Sequence, residues 1–219
     1  MVDVNDEVTV DVREMIAVHD CMRKEYGSLP LLVKSIPEGD SARAELVCDH
    51  IRLLGVLMDA HHAGEDDVLW PLVRERAPEH EAIFVMDAEH LSLNGYVVRI
   101  GVLADAWRAD PNIANRSSLH TELIRFEKDL LKHLGHEERE VLPILQGVLT
   151  QEEFGALGIY VREHVDPADR DLIVGLIFED TTSTFSDPML AAMSPEARAN
   201  VEQNLRPRAQ EYKRRLLGM

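Results

Sequence analysis

A chain of 219 residues with 45% hydrophobic content can bury a core, as one domain of roughly 150 residues plus an appendage. Its formal net charge of −17 repels phosphate backbones and anionic lipid, which argues against nucleic-acid and membrane partners. Cys21 and Cys48 stand far apart with no CxxC, so neither a disulfide framework nor a thiolate zinc site is expected.

The opening stretch, MVDVNDEVTVD, is acidic and lacks the basic and apolar regions of a signal peptide. The longest apolar run, residues 172–178, is too short to span a bilayer. These features predict a cytoplasmic protein.

Apolar periodicity and punctuation predict six helices. The first covers about residues 11–36, with residues 27–30 as a candidate interruption, and its stripe is Val12, Met15, His19, Met22, Tyr26. A turn at residues 37–40 follows, with Ser41 as the expected cap of the second helix. That helix runs to about Arg76 with stripe Leu46, His50, Leu53, Leu57, His61, Glu65, Val68, Leu72. Pro78 is expected in the first turn of the third helix, whose stripe holds Ile83, Met86, His90, Leu93, Val97 and Ile100.

After a loop at residues 110–112, the fourth helix carries Leu119, Leu123, Phe126, Leu130, His133, Glu137, Val141 and Ile144. A capping box from Thr150 to Glu153 opens a fifth helix to about Phe178. Residues 180–187 read as a linker, and Ser194-Pro195-Glu196 starts a last helix. The fold class is therefore all-α: an antiparallel up-down four-helix bundle over residues 1–150, with additional C-terminal helices over 151–219.

The second and fourth helices share a pattern. His61 is followed by Glu65, Asp66 and Pro71; His133 is followed by Glu137, Glu138 and Pro143. Positions i and i+4 differ by roughly 40° around a helix, so each imidazole and carboxylate point the same way. Buried carboxylates and imidazoles are costly unless paired or metal-bound. Two such pairs facing one another supply nitrogen and oxygen donors suited to iron, with carboxylates free to bridge.

The other two bundle helices each bring one histidine on the same stripe. His19 precedes His61 by 42 residues, and His90 precedes His133 by 43, so the bundle reads as two similar hairpins.

This order of residues, H…HxxxE…H…HxxxE, resembles the hemerythrin-like, or HHE cation-binding, family over about residues 10–150. The resemblance implies a non-haem di-iron centre, oxo- or hydroxo-bridged, with His19, His61, His90 and His133 as terminal ligands and Glu65 and Glu137 as bridges. Oxygen-carrying hemerythrins place a second histidine four residues after the first on the third helix; here that position is Asn94.

Two neighbours are candidates to supply the missing nitrogen. His62 lies about 60° from Glu65 around the helix and is included among the expected ligands; His136 lies roughly 100° from Glu137 and is expected beside the site or exposed. Asp66 and Glu138 are expected to orient ligands. Tyr26 is read as core, with contact to the ligand pocket as the lesser alternative, and His50, His80, His120 and His164 as ordinary core or surface residues.

The expected function is binding or sensing of a small diatomic ligand or peroxide (dioxygen, nitric oxide) or of iron. The enzymatic alternative is peroxide degradation, nitric oxide handling or repair of iron centres. A ferritin-like oxidase is disfavoured by the absence of Glu-x-x-His, and a zinc hydrolase by the absence of HExxH.

Overall fold

Between Arg13 and Ser35 the chain forms one helix, α1, which buries Met15, His19, Met22, Tyr26, Leu29 and Val33 along a single stripe. The structure is a computed structural model describing residues 10–179 and 186–219. The expected interruption at residues 27–30 is absent. Pro30 forfeits one backbone bond, but Leu29, Pro30, Leu32 and Val33 are all buried and anchor this stretch of the helix in the core.

The following turn needs Gly39 at φ 80°, a left-handed conformation open to glycine. Asp40, not Ser41, caps α2 (Ser41–Gly64): its carboxylate accepts from the Arg43 amide at 3.1 Å.

The second predicted helix does reach Arg76, but not as regular α-helix. A π-helical turn, Glu65–Leu69, separates α2 from α3 (Trp70–Arg76), and Pro71 sits in the first turn of α3. Pro78 is not in the first turn of the next helix. It lies in a turn that the His80 amide closes on the Ala77 carbonyl at 3.1 Å, and α4 runs Ala82–Ala109.

Helix α5 (Ile113–Glu140) is capped by Asn112, and the chain breaks at Val141 before α6 (Leu142–Val148), where Pro143 occupies the first turn. Both HxxxE segments thus end in a distortion followed by a proline-started helix.

The capping box at Thr150 and Glu153 opens α7 (Gln151–His164). The fifth helix then splits at residues 165–166, because Pro167 starts α8 (Pro167–Glu179). Of the linker at 180–187, residues 180–185 lie outside the described residues, and Ser186 begins α9 (Ser186–Ala192). Ser194 caps α10 (Pro195–Asn200), which continues through a π-helical turn (Val201–Leu205) into α11 (Arg206–Leu217).

All regular elements among the described residues are helical. Helices α1, α2, α4 and α5 touch in a ring: α1 with α2 and α5, and α4 with α2 and α5. Helix α7 lies on α2 and its π turn, α8 on α1 and α2, and α11 on α8 and α2. No described helix is long and apolar enough to cross a membrane.

Two apolar clusters fill the ring. One holds Met22, Leu57, Leu93, Phe126 and Leu130; the other holds Met15, Leu69, Trp70, Met86, Val141 and Phe154. Burying each such side chain contributes about 1.5–3 kcal/mol. A layer of buried histidines and glutamates lies between them. Along α1, Met15 of the second cluster precedes His19 and Met22 of the first follows it; α4 repeats this with Met86, His90 and Leu93. From α2 and from α5 onward the order is reversed: Leu57, His61, Leu69 and Leu130, His133, Val141.

Candidate metal centre

The polar layer consists of His19, His61, His62, Glu65, His90, His133 and Glu137, all buried. They fall into two groups whose donor atoms lie within 4.8 Å of one another: His19, His61, Glu65 and Glu137, and His62, His90 and His133. Each group is large enough to surround one cation.

The carboxylates of the first group also reach histidines of the second. Glu65 Oε1 is 3.3 Å from His61 Nε2, while its Oε2 is 3.5 Å from His90 Nε2. Glu137 Oε2 is 3.5 Å from His19 Nε2 and 3.6 Å from His133 Nε2. Each glutamate therefore faces one histidine of its own helix and one from a neighbouring helix.

The outer nitrogens show which tautomers the histidines hold. His19 Nδ1 is 2.9 Å from Glu138 Oε1, His90 Nδ1 is 2.9 Å from Asp66 Oδ1, and His133 Nδ1 is 3.2 Å from Glu89 Oε2. A carboxylate only accepts, so each Nδ1 carries the proton and donates. Each Nε2 is left as a lone pair directed inward. Asp66 and Glu138 thus orient histidines, as expected from their place after each glutamate. They do so across helices: the acid of the π-helical turn after α2 holds the histidine of α4, and the acid of α5 holds the histidine of α1.

The inward atoms lack partners. Both oxygens of Glu65, both of Glu137, and Nε2 of His62, His90 and His133 are buried without a hydrogen bond. Each such atom costs about 1–3 kcal/mol if left unsatisfied. His19 Nε2 meets His61 Nε2 at 3.1 Å, two imidazole nitrogens converging on one point. Several imidazole lone pairs and four carboxylate oxygens converging in a buried layer are satisfied together by cations, so these residues fit bound metal.

Protonation follows the same logic. Burial, and the crowding of neighbouring imidazoles, hold His61 and His62 well below the ordinary histidine range, and burial lowers His133 as well. Burial, then the adjacent Glu137, push Glu65 well above the ordinary carboxylate range. Neutral imidazole is the form that binds metal, while Glu65 resists ionising until a cation arrives.

His62 enters the layer. Its ring stacks on that of His90, and its Nδ1 is 3.4 Å from Asn94 Oδ1. His136 stays outside, half-buried, with Nδ1 3.3 Å from Glu89 Oε1. Tyr26 is core: its hydroxyl donates to the Leu54 carbonyl at 2.7 Å.

Glu89 is the residue that the sequence pattern does not mark: it accepts from His133, His136 and Lys132, and its one visible signal is that it directly precedes His90. Asn94, marked in the sequence as standing where an oxygen carrier has a histidine, lies one helical turn beyond His90 on the same face and meets His62.

His50 is more than an ordinary core residue. Its Nδ1 is 3.1 Å from the Tyr212 hydroxyl and its Nε2 is 3.1 Å from Glu25 Oε2, which also receives Lys213 Nζ at 2.6 Å.

No curated protein and no solved structure matches the chain. A family model described as the hemerythrin HHE cation binding domain matches residues 10–145, a span that contains all seven residues of the polar layer. With most of its length matched and its histidines and glutamates gathered in one buried layer, the chain belongs to the hemerythrin HHE cation-binding family.

Proposed function

We propose that this protein holds a non-haem di-iron centre, oxo- or hydroxo-bridged, and uses it to bind or sense dioxygen, nitric oxide or peroxide. The observation that carries this reading is the set of four carboxylate oxygens without hydrogen bonds, placed between two groups of imidazole nitrogens. His19 and His61 would hold one iron, and His62, His90 and His133 the other, with Glu65 and Glu137 shared. Nitrogen and oxygen donors without thiolate suit iron, and Cys48 is committed elsewhere, to the Ala104 carbonyl.

The bundle we propose is antiparallel and up-down, over residues 1–150, with 151–219 as a helical extension. Supporting this, α1 and α4 cross the polar layer in one order of apolar clusters and the α2 and α5 segments in the other.

Such a metal pair, when bound, supplies two electrons toward a small oxidant. The chain's own residues supply the rest. Glu138, Asp66 and Glu89 hold three imidazoles with their lone pairs inward. Met22, Leu57, Met86 and Leu130 exclude water on either side. One iron would have three histidines and the other two, so an exchangeable ligand has more room on the side of His19 and His61.

Metal analysis combined with optical spectra before and after dioxygen, nitric oxide and peroxide tests the proposal. The expected result is close to two irons per chain, with a reduced form that dioxygen oxidises quickly and a diferric form that reacts with peroxide or nitric oxide. Iron-free protein that takes up no iron on reconstitution overturns it. Sustained peroxide turnover would make the protein an enzyme acting through the same site.

A further inference from the structure

Helices α7 and α8 do more than cover the bundle. Between them and α1 and α2 lies a cavity of about 320 Å³, within the range of small-molecule sites. Its walls are apolar, with Leu57, Phe154, Leu157 and Val161 among them, and its polar lining groups are Glu14, His61, Arg162 and Arg170. An apolar cavity of this size holds water poorly.

The polar groups are not clustered. Leu157 packs against Gly64, one turn from His61: a Cβ on Gly64 would overlap Leu157 Cδ1. Arg162 lies five residues further along α7, about 7–8 Å from that end. Arg170 is fixed beside it by donating to the Arg162 carbonyl at 3.0 Å. Neither arginine pairs with a carboxylate among the described residues. In a chain of net charge −17, two cations without acidic partners beside an apolar cavity are complementary to an anion. Glu14, from α1, is the one acidic group in the lining and is itself exposed to solvent.

We infer that this cavity is a binding site for a small amphipathic monocarboxylate, with its apolar tail directed toward His61 and its carboxylate at Arg162 and Arg170. The site would place an organic ligand next to the two-histidine side of the polar layer. The inference goes beyond the proposed function and does not depend on which metal is bound.

Calorimetric titration of the purified, metal-loaded protein with octanoate, and separately with 1-octanol, tests it. Saturable binding of one octanoate per chain is expected. The double change Arg162→Gln with Arg170→Gln should weaken octanoate about tenfold and leave octanol nearly unchanged. Val161→Trp, which fills the cavity, should abolish binding of both. Absence of saturable octanoate binding, or equal octanoate affinity in the arginine double variant, overturns the inference, and the latter holds even if Val161→Trp fails to fold. Iron content of the same samples is read separately: normal iron without octanoate binding removes this site alone, and octanoate binding without iron removes the di-iron reading alone.

Discussion

His62 lies face to face with His90, their ring centroids 4.0 Å apart and their planes 12° from parallel. His62 comes from the end of α2, just before the π-helical turn, and His90 from the first third of α4. The stack aligns the rings so that both Nε2 atoms remain unpaired near His133 Nε2.

This arrangement separates two histidines that are hard to rank by helix angle alone. His62→Ala should change the optical spectrum of the oxidised iron and lower iron retention. His136→Ala, which removes a half-buried neighbour of Glu89, should change the spectrum much less. Equal or reversed effects would show that His136, not His62, completes the three-nitrogen group.

The unsatisfied carboxylates imply that metal and fold are coupled. Chelating the metal should lower the melting temperature of the natural protein, because it returns buried acceptors to an unpaired state, each costing about 1–3 kcal/mol. His61→Ala and Glu137→Ala should lose most of the iron, and their melting temperatures should barely respond to chelator. Parallel thermal melts with and without chelator check this, and an unchanged chelator response in Glu137→Ala refutes the coupling.

Glu89 supports His133 from outside the layer. Glu89→Gln keeps the shape but replaces a charged acceptor shared by His133, His136 and Lys132. Iron affinity should fall by about 10–100-fold, with the helical content unchanged. Competition with a chromogenic chelator measures the fall, and an affinity equal to that of the natural protein would mean that His133 needs no such support.

A pH effect is expected away from the metal. Burial alone would raise the carboxyl of Glu25, but His50 and the Lys213 ammonium outweigh it and hold the group down at about 2, below its ordinary 4.5. Tyr212 faces His50 from α11, and Cys21 and Lys24 lie nearby on α1. A depressed carboxyl stabilises the fold fully above its unfolded value and loses that contribution as pH falls from about 4.5 to 2. The amount is about 3 kcal/mol. Denaturant titrations at several pH values should show this acid limb in the natural protein and a flatter one in Glu25→Gln. Identical limbs would exclude Glu25 as a source.

How much of this was legible beforehand depends on distance along the chain. The repeat of His, Glu, acid and proline on two helices is a local pattern. With its spacing to His19 and His90, it identifies the family and the residues of the polar layer, because helical periodicity alone carries i and i+4 to one face. The capping box at Thr150 and the helix start at Ser194 are local in the same way, since a side chain bonds an amide three residues on.

What the tertiary structure decided involves partners that no spacing relates. Whether His62 or His136 turns inward depends on the His90 ring and on Asn94, both brought to His62 by the packing of α4 against α2. Glu89 matters because α4 lies beside α5, and His50 because α11 folds back over 162 residues to bring Tyr212 to it. The cavity beside His61 exists because α7 and α8 leave the bundle's side partly unfilled, a matter of shape between distant segments. Local chemistry chose the residues, and long-range packing chose which atoms of them meet.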